Sequence, residues 1–181
     1  MASAGFRKGL FEIQDLSSQQ FCERMRILGD TFYDMCAGSG GKALAFAAVG
    51  KEVWAQEPRS HARTELQKRA KRGRCRVLLS QPPEPVDVVI VDAPCSGAGR
   101  LHREPSLRWR IQPKEHIALQ QELLQKATKY VRKGGYLVYA TCSIFDIENQ
   151  HALHGWHMIE EKSILPNNQD GFYWNIRQRT T

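Results

Sequence analysis

The sequence predicts an α/β fold: a mostly parallel sheet with helices on both faces. Three observations carry this reading. Short runs of β-branched and aromatic residues, such as Val86 to Val91 and Tyr136 to Ala140, have the character of strands buried on both sides. They alternate with amphipathic helical stretches, as repeated βα units do. A glycine-rich segment, Cys36 to Gly41, joins the first strand to the helix after it.

Taken in order, Thr31 to Met35 reads as a strand, and Lys42 to Val49 as a short helix closed by Gly50. Lys51 to Glu57 is a second strand. Arg59 to Arg72 places Ala62, Leu66 and Ala70 on one helical face and is ended by Gly73. Cys75 to Leu79 reads as a third strand before the breaker Gln81-Pro82-Pro83-Glu84-Pro85. Val86 to Val91 is the fourth. A long loop then reaches Gln112, and a helix runs from Pro113, a favoured first helical residue, to Arg132, with Gly134 and Gly135 stopping it. Tyr136 to Ala140 is the fifth strand. After Ile147 the pattern allows one helix and a strand near Phe172 to Ile176.

A length of 181 residues suits one domain with a substantial core. No apolar run is long enough to span a membrane, and the first residues lack the apolar stretch of a signal peptide. The five cysteines, Cys22, Cys36, Cys75, Cys95 and Cys142, are odd in number and contain no Cys-x-x-Cys pair, so free thiols in a reducing cytoplasm are expected, with a nuclear or organellar location left open. A net charge of +7 favours a polyanionic partner.

The turn Cys36-Ala37-Gly38-Ser39-Gly40-Gly41-Lys42 lets backbone approach a ligand, and the helix start supplies amide donors. It is not a phosphate-binding loop of the Walker kind, because Cys36 and Ala43 stand where that motif needs Gly and Ser or Thr. Glu57, ending the second strand, is placed to bind ribose hydroxyls, or else is a surface glutamate beside a tight turn. Two further loops each carry a thiol: Asp92-Ala93-Pro94-Cys95-Ser96-Gly97 and Thr141-Cys142-Ser143. If their preceding strands share a sheet, both thiols and Asp92 emerge at its carboxyl edge, where open α/β sheets bind ligands. That convergence suits covalent chemistry.

These residues resemble the RNA (cytosine-5) methyltransferases of the Sun/RsmB (NOL/NOP/NSUN) type, in order from Gly9 to Tyr173. Gln14-Asp15-Leu16-Ser17-Ser18 is similar to the family's lead-in motif, and Cys36 to Lys42 to its cofactor loop. The Asp92 motif with Arg100, Arg103, Pro105 and Trp109, the Tyr139 to Ser143 motif with Glu148-Asn149, and Asp170 to Tyr173 follow in family order. The resemblance implies a Rossmann-like class I methyltransferase fold, S-adenosylmethionine as cofactor, and RNA, either rRNA or tRNA, as substrate. It implies that Cys142 attacks cytosine C6 and that Cys95 assists release; Asp92 is expected to contact the base while protonated or sharing a proton, and Lys42, beside the cofactor loop, to orient Asp92 or to lower a thiol pKa. Cofactor contacts fall on Cys36, Ala37, Gly38, Ser39, Gly40, Gly41, Lys42, Glu57 and Asp92. Arg100, Arg103 and Arg108 are the expected RNA contacts, with loop-ordering ion pairs as the alternative.

The chain departs from the family pattern in four places. Gly38 and Ser39 replace Ala and Pro, Leu79-Ser80-Gln81-Pro82 lacks the acid near the adenine, almost nothing precedes Gly9, and the segment from Gln150 to Asn168 is short. The expectation is therefore one catalytic domain over 1–181, with 1–30 as a lead-in and the family's N-terminal RNA-binding region missing, so that a protein or domain could supply RNA binding to this monomer. The competing class is a non-catalytic RNA-binding or ribosome-assembly protein on the same fold. DNA methylation is disfavoured because the Thr-Cys-Ser partner is foreign to it. Cys22 and Cys75 read as buried apolar residues, Cys36 as packing under the turn, Asp34 as a strand-end hydrogen-bonding residue, and Lys68 to Arg74 as a solvated helix end. His151, His154 and His157 share a three-residue spacing, but Gly155 interrupts any helix and no metal is expected.

Overall fold

In the computed structural model, which describes residues 3–180, one six-stranded sheet organises the chain. Helices α1 (Ala4–Arg7) and α2 (Leu16–Met25) lead into β1 (Thr31–Asp34), α3 (Gly41–Ala48), β2 (Glu52–Ala55), α4 (Ser60–Gly73) and β3 (Val86–Asp92). A looped segment of short 3-10 turns follows, then α5 (Ile117–Ala127), β4 (Val131–Thr141), α6 (Asp146–Asn149), β5 (Trp156–Ile164) and β6 (Phe172–Arg179).

The strand order is β2-β1-β3-β4-β6-β5. The first four strands are parallel, and β6 runs antiparallel to both β4 and β5. From β1 the chain leaves to β2 on one side and later returns to β3 on the other. That reversal opens a crevice beyond the ends of β1 and β3.

Alternation along the strands sorts side chains onto two faces. Phe32, Val88, Ile90, Val138 and Trp174 pack beneath Phe21 and Met25 of α2, Phe46 of α3 and Leu66 of α4. Tyr33, Val89, Val91, Leu137 and Tyr139 face Leu124 and Ala127 of α5. Burying each such large apolar side chain contributes about 1.5–3 kcal/mol. The continuous run Val88 to Val91 is fully buried because helices cover both faces.

Four expectations change. Cys75 to Leu79 forms no strand; only a parallel bridge joins Leu78 to Trp54, since the proline run cuts the segment short at the sheet's edge. The helix expected to reach Arg132 stops at Ala127, because Val131 pairs with Val86 and begins β4 five residues early, past an irregular register where Gly134 takes φ +73°. Gly73 lies inside α4, and Arg74 takes the left-handed conformation instead, at φ +55°. In the tail, the histidine segment is extended: His157 sits on β5, while His151 is buried against Gln120 and Tyr139.

Candidate active site

The carboxyl ends of β1, β3 and β4 deliver the reactive groups to one edge. Cys95 follows β3 and Cys142 follows β4, and their Sγ atoms lie 3.5 Å apart. The pair is not symmetric. The hydrogen bond from Cys95 lowers the Cys142 pKa against the opposing effect of burial, with Arg100 and Lys42 adding positive charge. Cys95 is raised well above a normal thiol by that same contact and by burial. When the pair gives up one proton, Cys142 is therefore the sulfur that ionises and Cys95 the one whose S–H donates to it.

Lys42, in the first turn of α3, reaches under the crevice, and its Nζ donates to Asp92 Oδ2 at 2.6 Å. Burial alone would lower the Lys42 pKa, but the charge and hydrogen bond of Asp92 outweigh it and hold the ammonium firmly protonated. The ammonium also lies 5.0 Å from the ring centre of Phe172, which helps replace lost hydration. Asp34 ends β1 and accepts the Cys36 N–H at 3.3 Å, a strand-end role; burial first, and Asp92 second, push its pKa up to about 7.

A cleft of about 660 Å³ opens beside these groups, lined among others by Cys36, Gly38, Glu57, Asp92, Cys95 and Cys142. Of the glycine turn, Cys36, Ala37 and Gly38 face it. Gly38 has φ +55°, and a Cβ there would meet only the Arg59 guanidinium, at 3.9 Å, so the turn offers open backbone to a ligand. Ser39 lies on the far side, where Arg69 donates to its carbonyl and hydroxyl oxygens. Gly40, at φ +88°, packs on Leu66 and starts α3 with Gly41. Burial drives the Cys36 thiol pKa up, and Cys22 likewise to about 11, which leaves both as poor nucleophiles.

Glu57 is almost fully buried, and both its oxygens are engaged. Gly38 N donates at 2.9 Å, while Arg59 supplies its backbone N–H, Nε and Nη2. These contacts, led by the Arg59 hydrogen bond, lower its pKa. The Arg59 side chain is 62% exposed.

The basic loop divides. Arg103 makes a two-pronged ion pair with Asp170, at 2.7 and 2.6 Å, so it orders the loop against the segment before β6 and does not face solvent as a free cation. Arg100 lines the cleft, its buried Nε without a hydrogen-bond partner among the described residues. Arg108 stacks 4.5 Å from the Trp109 ring centre, and Trp109 is 77% exposed.

Three contributors are easily overlooked in the sequence. Glu148, buried on α6, accepts from Ser96 N, Ser96 Oγ and Ser143 Oγ. Gln120, buried on α5, donates to the Pro94 carbonyl at 2.9 Å and is itself held by His151. Trp109 offers an open aromatic face beside the arginines. The signal for Glu148 was its place in the Glu-Asn pair after Cys142; Gln120 and His151 left none, because a polar residue looks solvent-facing until its partner is known.

Comparison with known proteins agrees with this geometry. Residues 27–160 match the family model described as 16S rRNA methyltransferase RsmB/F. The chain is 35% identical over 162 residues to ribosomal RNA small subunit methyltransferase B of Photorhabdus laumondii, covering 80% of this chain and 38% of that protein. It is 33% identical over 131 residues to the Thermus thermophilus protein of the same name, covering 67% of this chain and 33% of that one. The chain thus spans well under half the length of these curated relatives. Among solved structures, NSun6 from Pyrococcus horikoshii with SFG superposes with a TM-score of 0.81 at 22% identity, over 99% of this chain and 56% of that one. A methyltransferase homologue from the same organism gives a TM-score of 0.79 at 23% identity, over 98% and 70%. Both place the fold among Rossmann-like methyltransferases.

Proposed function

Since the chain belongs to the RsmB/F methyltransferase family, we propose that it methylates C5 of a cytosine in RNA, using S-adenosylmethionine and a covalent bond between Cys142 and C6. The observation that carries this reading is the thiol pair at 3.5 Å beside the Lys42–Asp92 ion pair, at the mouth of the cleft. Small-subunit rRNA is the favoured substrate, as the family description and the names of the relatives suggest.

The cleft fits the cofactor. It has the open Gly38 backbone and an acid, Glu57, at the end of β2 where ribose hydroxyls need an acceptor. Arg59, itself largely exposed, covers that acid from solvent, and a ribose would displace its side chain to reach the carboxylate. Ala37, Gly38 and Glu57 would hold the nucleoside end, with Asp92 near the reacting end. When bound, S-adenosylmethionine supplies an electrophilic methyl group on a sulfonium.

The protein's own residues do the rest. Cytosine C5 is a weak nucleophile, and adding the Cys142 thiolate at C6 moves electron density onto C5. The negative charge that builds toward N3 is offset by Asp92 only as an acid, sharing the proton that Lys42 Nζ donates to its Oδ2. After methylation, a base removes the C5 proton, the ring double bond reforms, and Cys142 leaves as thiolate. Cys95 donates its S–H to that leaving sulfur, offsetting the returning charge. The cytosine must be unstacked to reach this edge, which favours single-stranded or flipped-out RNA. Arg100 and Arg108 are the proposed phosphate contacts.

The test is methyl transfer from labelled S-adenosylmethionine to small-subunit rRNA and tRNA, with nucleoside digestion to identify 5-methylcytidine. Cys142→Ala is expected to abolish transfer. Cys95→Ala is expected to let RNA become covalently trapped on Cys142. Product lacking 5-methylcytidine, or activity that survives Cys142→Ala, would sink the reading.

A further inference from the structure

We propose that Glu148 is a positioning residue whose carboxylate ties the two thiol loops together and thereby holds Cys95 against Cys142. The proposal rests on the reading of these two thiols as the reacting pair, and extends it to a side chain that, together with the β3–β4 pairing and the Gly99 N–H bond to the Cys142 carbonyl, holds them in place.

The two sulfurs come from loops 47 residues apart. Among the described residues, their Sγ–Sγ approach is too weak an interaction to fix two loops by itself. Glu148 has no exposed surface, so its carboxylate must find its donors inside the protein. It finds three: Ser96 N at 2.7 Å, Ser96 Oγ at 2.6 Å and Ser143 Oγ at 2.6 Å. Ser96 immediately follows Cys95, and Ser143 immediately follows Cys142. One side chain thus grips both loops at the residue next to each sulfur.

Glu148 is itself anchored. The Tyr139 hydroxyl donates to its carbonyl at 2.6 Å. The neighbouring Asn149 accepts from Thr141 Oγ1 at 2.6 Å and donates to the Ser143 carbonyl. Short α6 is therefore pinned to the end of β4, and its carboxylate reaches across to the β3 loop.

The direct measure of this juxtaposition is the equilibrium between the Cys95–Cys142 dithiol and its disulfide in a glutathione redox buffer. Two thiols lose their protons and two electrons to one glutathione disulfide, forming the Sγ–Sγ bond and two reduced glutathiones. The full chain is used without RNA or cofactor, and the linked peptides are quantified by mass spectrometry. Glu148→Ala leaves its donors unpaired, and is expected to lower the equilibrium constant by about tenfold or more. Glu148→Gln is expected to stay within about threefold of wild type, since its carbonyl still accepts the Ser96 N–H and its amide can donate to both hydroxyls.

An unchanged equilibrium in a folded Glu148→Ala protein overturns the proposal. If that variant does not fold, Ser96→Ala combined with Ser143→Ala removes two of the three bonds and should shift the equilibrium in the same direction; no shift there overturns it equally. In parallel, Glu148→Ala is expected to lower kcat for RNA methylation with little change in KM, and Glu148→Gln to restore it. Wild type that transfers no methyl group while the disulfide equilibrium still responds to Glu148 would refute the proposed function and leave the positioning role standing.

Discussion

Asp34 closes β1 with its carboxyl out of water, within the electrostatic reach of Asp92 and Lys42, and its pKa of about 7 makes its charge sensitive to pH near neutrality. Unfolded, it would titrate near about 3.9. The folded state therefore holds the proton more tightly. The stability this proton contributes is fully present below about pH 4 and is lost as pH rises through about 7. Asp34→Asn keeps the acceptor for Cys36 N–H without the charge. Its thermal stability relative to wild type should rise from about pH 4 to about pH 7 and level off above that, and a difference independent of pH would contradict the assignment. At this scale the sequence was informative wherever chemistry sat in contiguous motifs. Asp92, Cys95, Cys142 and Lys42 stand together as expected. What it concealed was a partner supplied from elsewhere, Asp170 occupying Arg103, because an ion pair across the fold leaves no trace in spacing.

Between the two thiol loops and the strand that follows them, the backbone itself is the joint. Gly99 donates to the Cys142 carbonyl at 2.9 Å, and its own carbonyl accepts from Gly171 at 2.8 Å. A Cβ on Gly99 would lie 2.1 Å from the Gly171 oxygen, a clash with backbone that no side-chain rotation relieves. Gly99→Ala should therefore pry the β3 loop from Cys142, lowering the melting temperature by several degrees, with each kcal/mol worth about 2–4 °C at this size. Methyl transfer should fall far more than stability does, and melting curves alongside activity assays check both. Elements were legible where periodicity and punctuation agreed, as in α3, α4 and β3. The boundary of α5 was not: Val131 falls four residues after Ala127 and continues the helical pattern, and only its pairing with Val86 in the folded sheet makes it a strand. The tail was opaque for a related reason. β5 is mostly exposed at the sheet edge, so it lacks a clear alternation of buried and exposed residues.

Across the whole molecule, positive charge reaches the cleft at Arg59 and through the loop after β3, whose arginines have different duties. Arg108→Ala should reduce the salt dependence of RNA binding by about one unit of slope, with little change in stability. Arg103→Ala should instead lower the melting temperature and leave that slope nearly unchanged, since its charge is already neutralised by Asp170. Filter binding across a salt series, beside thermal melts, separates the two, and a reversed pattern would reassign them. The parallel half of the sheet and its crevice were readable from the βα alternation, whereas the order β4-β6-β5 was not, because local sequence does not say where a strand will insert. That insertion has a consequence in time. β6 is synthesised after β5 yet lies between it and β4, so on the ribosome β4 keeps an open edge until Phe172 to Arg179 have emerged. β6 also brings Phe172 over Lys42, and Gly171 beside it engages Gly99. The emerging chain thus cannot complete its reactive centre until this strand slots into place. Its assembly is a late, non-local and correspondingly slow event in folding.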